Sequence, residues 1–342
     1  MRTLSTLTLL AAATAALHAA GFTDIHPAAN PSNSTWTNGV SSDGLVSVGR
    51  SNIGGNARAF KIVGGTYTQL DNLSGGFGSW ATAASSTGSL IVGTSIDSNG
   101  SEQAVFWAGT TPTQLDSILT PLFLLSSARG VSANGGTIVG SGFGSTSGVY
   151  EAFYFKNATL TSLAGAFGGA PYSNWAGVYS FANGVSADGD LVVGTVADSD
   201  LSAPQNYALG FVYKISTSTL TTVDAAANVP AFANAALSLT QLTAISGDGT
   251  VAVGMAFLNA SLSDAQAFKH TLAGAGSTTA LGNLGGWSIA RAISNDGSVI
   301  VGQSQNSSGQ SEAFVHQSGA MTGLGFLGTG DESDATGVSA DG

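Results

Sequence analysis

The sequence predicts an all-β fold, a β-propeller of four-stranded antiparallel blades with about seven units, the last of them incomplete. Three observations carry this expectation: a recurring turn phrase, a constant order of short elements between its copies, and a composition rich in glycine and poor in charge. The phrase is a small or β-branched apolar residue, then Ser, then a turn ending in Gly. It reads Val40-Ser41-Ser42-Asp43-Gly44, Ala84 to Gly88, Val131 to Gly135, Val185 to Gly189, Ile245 to Gly249, Ile293 to Gly297 and Val338 to Gly342. Its closing glycines recur at intervals of 44, 47, 54, 60, 48 and 45 residues, the period of propeller blades.

Each unit divides into four elements. Strand A alternates small and polar residues into the phrase, as in Ala81-Thr82-Ala83-Ala84, a period of two that suits a strand. The phrase then supplies a tight turn, with Asp or Asn bonding nearby backbone and Gly free to take positive φ. Strand B is a continuous apolar run such as Val299-Ile300-Val301, closed by a glycine five residues after the first, and such a run implies burial on both faces. Strand C is a small residue plus an aromatic one, as in Ala59-Phe60, Ala104-Val105-Phe106 and Ala313-Phe314, and strand D a Thr-x-Leu element such as Thr68-Gln69-Leu70. Four strands in about 45 residues match a blade. The alternative is a parallel β-helix, whose coils usually repeat in about half this length.

Phe22-Thr23-Asp24-Ile25 matches an isolated strand D, and Ala335 to Gly342 supplies strand A and the turn of a seventh unit. The chain therefore reads as a propeller cut before strands B and C of its closing blade. Residues 1–20 read as a signal peptide, with Arg2, an apolar stretch from Leu4 to Leu17 and small residues at Ala19 and Ala20. Residues 21–342 then form a single repeat domain, and no later segment offers the roughly twenty apolar residues of a membrane span.

Charged residues make up 8% of the chain against about a quarter in ordinary domains. Without Arg2, eight Lys and Arg face twenty Asp and Glu, a net charge of −12, which argues against nucleic acid as a partner. Cysteine is absent, so disulfides, thiol catalysis and Cys-based zinc sites are excluded.

The best-formed stretches are Ala335-Thr336-Gly337-Val338-Ser339-Ala340-Asp341-Gly342, Val299-Ile300-Val301-Gly302, Glu312-Ala313-Phe314 and Met321 to Gly328, with Leu284-Gly285-Gly286 echoing Leu327-Gly328. They resemble the HAF family of probable extracellular repeats across nearly all of Phe22 to Gly342. The chain departs from the family's His-Ala-Phe element by carrying Glu151, Glu312 and Gln266 in place of His, and Gly210-Phe211 in place of Ala-Phe. The resemblance implies export and display at a bacterial surface, in proteins that often continue into an autotransporter barrel or a sorting signal.

No catalytic set emerges. His270 and His316 replace the large strand residues Ile62, Trp107, Phe155 and Tyr213 of other units and read as half-buried fillers; His26 lacks the partners of a Ser-His-Asp arrangement. Asp198, Asp200, Asp331, Glu332 and Asp334 stand in no complete calcium-loop signature and read as solvated loop acids. No metal and no cofactor is expected.

Length varies mainly between strands B and C and between D and the next A, two connections that share one face of a ring. Insertions on one face of an array mark its binding side. The largest are 164–184, 195–209 and 224–244, and the first carries Phe167, Tyr172, Trp175, Tyr179 and Phe181, rings suited to stacking on sugars or packing on a protein, or alternatively to packing on one another as a cap on the blade. Arg129 and Arg291 share one strand A position with Asn38, Thr82, Asn183, Thr243 and Thr336, a polar ring that either lines the same face or is simply solvated. Tyr172, Trp175, Tyr179, Arg129 and Arg291 are therefore the candidate ligand-binding residues. The expected function is a non-enzymatic, exported repeat protein for surface display or adhesion that binds glycan or protein. The alternative is a secreted propeller enzyme, a glycan hydrolase or lyase, which requires paired carboxylates near the axis.

Overall fold

The computed structural model describes residues 34–116, 121–168, 177–198, 208–225, 239–257, 264–274, 276–327 and 330–342. Residues 1–20, expected to be a signal peptide, and Phe22 to Ile25, expected to be an isolated strand D, lie outside these residues. All described residues belong to one compact unit that begins at Ser32.

Six four-stranded sheets follow one another along the chain. The first is β1 (Thr35–Val40), β2 (Val46–Ile53), β3 (Asn56–Val63) and β4 (Thr66–Gln69); the second is β5 (Ser79–Ala84), β6 (Ile91–Ile96), β7 (Glu102–Trp107) and β8 (Pro112–Gln114). The third is β9 (Phe123–Val131), β10 (Thr137–Gly144), β11 (Tyr150–Lys156) and β12 (Thr159–Ser162). The fourth is β13 (Val178–Val185), β14 (Leu191–Asp198), β15 (Ala208–Lys214) and β16 (Thr219–Val223). The fifth is β17 (Thr240–Ile245), β18 (Val251–Phe257), β19 (Ala265–Thr271) and β20 (Ser277–Gly282), and the sixth β21 (Gly285–Ile293), β22 (Val299–Asn306), β23 (Ser311–Gln317) and β24 (Ala320–Gly323). Within each sheet the strands pair in sequence order and antiparallel, a propeller blade and not a β-helix coil.

Strand A carries a bulge at one fixed position. Its register with strand B skips Asn38, Thr82, Arg129, Asn183, Thr243 and Arg291 in turn. An extra residue bends a strand and re-aims a side chain, and here it turns the polar residue toward the axis. The bulge brings a strand A carbonyl onto the second glycine of strand B. A Cβ on Gly49, Gly93, Gly140, Gly194, Gly254 or Gly302 would sit about 2 Å from the oxygen of Trp36, Trp80, Ser127, Phe181, Gln241 or Ile289. No larger residue fits, which is why that glycine never varies.

The core lies between blades. Val48, Ala59 and Leu70 of the first blade share one cluster with Ala81, Ile91, Val105 and Trp107 of the second, and the other interfaces repeat the scheme. Phe60, Phe153, Phe211, Phe268 and Phe314 are fully buried, each contributing about 1.5–3 kcal/mol of apolar burial. In the second blade Val105 takes that buried place and Phe106 stays half-buried. The strand D leucines Leu70, Leu115 and Leu163 are buried against the following blade, whereas Leu324 of the sixth is 43% exposed.

Hydrogen bonds staple the blades at three depths. In the first set, a Ser or Thr five residues before the phrase accepts a backbone N–H from the preceding blade: Ala59 to Ser79 Oγ, Ala104 to Ser126 Oγ, Ala152 to Ser180 Oγ, Ala225 to Thr240 Oγ1, Ala267 to Ser288 Oγ, at 2.9–3.1 Å. In the second, bulge residues donate to the next strand A: Asn38 Nδ2 to Ala81 O, Thr82 Oγ1 to Ala128 O, Asn183 Nδ2 to Leu242 O and Thr243 Oγ1 to Ala290 O, all at 2.8 Å. In the third, the turns bond one another directly, from Asp43 N–H to Ser86 O, Ser86 to Ala133, Ala187 to Gly247, Asp248 to Asn295 and Asn295 to Ala340. Between the third and fourth turns Thr137 Oγ1 donates to Gly189 O instead.

Six complete blades stand where about seven units were expected. The seventh unit forms no sheet of its own among the described residues, yet it closes the ring. Ala313 N–H donates to Ser333 Oγ, Thr336 Oγ1 donates to Thr37 O and Ala340 N–H donates to Ser42 O. No described helix is long and apolar enough to cross a membrane.

Candidate functional site at the axial mouth

Among the described residues, two openings face each other along the ring axis. The one at the turn end is a small cavity of about 120 Å³ lined by backbone-rich segments such as Ala133, Ala187 and Gly247. The other, at the opposite end, is about 590 Å³ and lined by Asn38, Arg50, Trp80, Thr82, Arg129, Asn183, Gln241, Thr243, Met255, Ile289 and Arg291. All six bulge residues therefore converge on one mouth. The B-to-C and D-to-A connections open on this same side, because each strand A runs from it toward the turns.

The two arginine positions depart from the backbone latch made by their neutral equivalents. Arg291 Nε bonds both carboxylate oxygens of Asp334 at 2.8 Å, so Asp334 is an ion-pair partner and not a solvated acid. Arg129 Nη1 donates to Asn183 Oδ1 at 3.3 Å, and its guanidinium lies 5.6 Å from the Phe181 ring centre. Partial desolvation by neighbouring groups pushes the Arg129 group down from its ordinary value although the residue is exposed, and the guanidinium stays charged at any physiological pH. Arg50 lies over the Trp36 ring at 4.7 Å, a cation–π geometry.

An aromatic track leads from this mouth outward. Phe181 packs on Tyr150 at 5.5 Å, and Tyr150 meets Phe143 at 5.5 Å and Tyr179 at 6.4 Å, both edge-on. Tyr150 is 37% exposed. Tyr172 and Trp175 lie outside the described residues. Tyr179 and Phe181, expected in an insertion, belong to β13, which begins at Val178. Likewise β14 runs to Asp198, β15 starts at Ala208 and β17 at Thr240, so each expected insertion is shorter than 164–184, 195–209 and 224–244. Phe167 is a core residue, buried against Phe211 at 5.3 Å, because the 3-10 turn Ala164–Phe167 folds it under the blade.

Arg50, Trp36, Trp80 and Tyr150 escaped sequence reasoning. Trp36, Trp80, Phe181, Gln241 and Ile289 all stand four residues before the phrase, so alignment of the units at that column would have found this wall. His270 and His316 fill blade positions, as expected. Burial lowers both, and for His316 nearby Lys269 adds to the effect; His270 Nδ1 lies 2.8 Å from Thr278 Oγ1.

No protein-family profile matches the chain, and no curated protein sequence matches it. Solved propeller structures do. An oligogalacturonate lyase in complex with manganese aligns over 87% of this chain and 79% of its own, with 11% identity and a TM-score of 0.55. The β-propeller domain of the Trilobed protease from Pyrococcus furiosus aligns over 85% and 84%, with 9% identity and a TM-score of 0.52. A prolyl endopeptidase aligns over 85% of this chain but 42% of its own, with 13% identity and a TM-score of 0.54. These likenesses show the fold alone.

Proposed function

We propose that this chain is an exported binding propeller of the extracellular-repeat type, displayed at the cell surface, that holds a glycan or protein partner at its axial mouth and performs no chemistry on it. The observation that carries this reading is the continuous track from Arg129 through Phe181 to Tyr150 and Tyr179, which joins the axial cavity to the face where connections vary most. Exposed rings beside amide and hydroxyl groups are the chemistry of sugar stacking and of protein anchoring. The lining residues are aromatic, aliphatic, amide, hydroxyl or guanidinium-bearing, a set that grips a ligand but offers none of the paired carboxylates a glycosidase uses.

Binding to a glycan array or to host surfaces tests this, comparing the parent with Tyr150→Ala and Trp175→Ala. Each change should weaken binding at least tenfold, and Tyr150→Ala should leave the melting temperature unchanged, since its ring is 37% exposed. Binding indifferent to both substitutions removes this face as the site.

A further inference from the structure

The axial mouth concentrates positive charge in a chain that is strongly acidic. Three of the eight Lys and Arg that follow Arg2, namely Arg50, Arg129 and Arg291, line one cavity. Asp334 neutralises Arg291, while among the described residues neither Arg50 nor Arg129 has a carboxylate partner. A cleft with low-dielectric walls and one sign of charge focuses its field on a ligand of opposite sign. Neither of these two guanidinium groups is neutralised, and each lies over an aromatic ring, Trp36 or Phe181; Arg129 spends Nη1 on Asn183 Oδ1, and the remaining N–H groups are left for an acceptor.

Resting on the reading of the mouth as a binding site, we infer that its ligand is a carboxylate-bearing saccharide, a short uronic-acid glycan, with the carboxylate taken by Arg50 and Arg129. Guanidinium matches a planar carboxylate in a two-point fork. Trp80 lines the cavity as an aromatic wall for a sugar ring, Gln241 brings an amide to its hydroxyls, and Asn38, whose Nδ2 is bonded to Ala81 O, brings its amide oxygen. A volume of about 590 Å³ accommodates two or three sugar rings. The same guanidinium fork also matches phosphate, and competition by inorganic phosphate separates the two chemistries.

Tryptophan fluorescence of the full chain, titrated with a β-1,4-glucuronate trimer, with cellotriose and with inorganic phosphate, tests the assignment. The trimer should quench saturably, cellotriose should bind at least tenfold more weakly, and phosphate should not compete. Arg50→Gln with Arg129→Gln should weaken the trimer at least tenfold at an unchanged melting temperature. If the double variant does not fold, Arg50→Gln alone decides, because its recorded side-chain contact is with Trp36 of its own blade. Equal binding of trimer and cellotriose, competition by phosphate at the trimer's affinity, an unaffected arginine variant, or no trimer binding overturns the inference. Surface binding lost in Tyr150→Ala but kept in the arginine variant leaves the binding face standing and removes only the carboxylate assignment.

Discussion

Gly210 and Leu242 compensate one another across a blade interface. Elsewhere the strand C alanine meets an alanine of the next strand A, as Ala59 meets Ala81 and Ala267 meets Ala290. In the fourth blade Gly210 faces Leu242, whose Cγ would lie 2.7 Å from a Cβ at that glycine. Gly210→Ala should therefore destabilise by about 1–3 kcal/mol through overpacking, and Leu242→Ala by about 2–5 kcal/mol through a cavity. The pair should be less destabilised than the sum, with a coupling of roughly 0.5–3 kcal/mol in urea denaturation; strict additivity would remove the compensation. Gly189 is constrained twice, by φ of +74° and by Thr137 Oγ1, 2.4 Å from where a Cβ would stand. Gly189→Val should lower stability by at least about 1 kcal/mol.

At the scale of elements, the turn phrase is a small polar device. Ser294 Oγ accepts the Val299 N–H and donates to Asp296 Oδ1 at 2.8 Å, while the Ser298 N–H and hydroxyl both donate to that oxygen. Those Ser298 bonds, then that from Ser294, hold the Asp296 carboxyl down at about 2, against an ordinary 3.8. Hydrogen bonds from Ser41 and Ser186 lower Asp43 and Asp188 in the same way. A depressed folded value means stability present above pH 3.8 and lost as pH falls from there to about 2. The stability difference between parent and Asp296→Asn should thus be widest at neutral pH and shrink below pH 3.8; a pH-independent difference would separate the turn from carboxylate ionisation. The staple serines act by satisfaction of buried backbone. Ser288→Ala leaves the buried Ala267 N–H without its 2.9 Å acceptor, an expected loss of about 1–3 kcal/mol in the denaturation midpoint analysis.

Across the whole molecule, ring closure rests on residues 333–342 rather than on a seventh sheet. Thr336 bonds Thr37 and Ala340 bonds Ser42, pairs separated by nearly the full length of the domain. A variant ending at Asp334 should melt at lower temperature and be cleaved faster near the first and sixth blades, since each blade completes its core against its neighbours. Unchanged melting and proteolysis would show that the last turn contributes nothing to closure. The exposure of Leu324 against the burial of Leu70 reports the same geometry from the outer rim.

The sequence by itself determined the repeat, its four elements and the antiparallel blade, because each rests on local chemistry: alternation in strand A, a Ser-Asp-Gly turn, an apolar strand B. It also placed Arg129 and Arg291 in one ring with Asn38 and Thr82, since a shared column in a repeat becomes a shared height on an axis. Only the tertiary structure decided that this column is a bulge, that its side chains latch neighbouring blades, and that Arg50, Trp80 and Arg129 meet in one mouth. Bulge formation depends on the close approach of strand A to Gly49 and its equivalents, a contact between strands whose energy no single segment contains. Closure with six sheets and a seventh turn was likewise settled by packing around the ring, where bonds between residues some 300 positions apart leave no local trace.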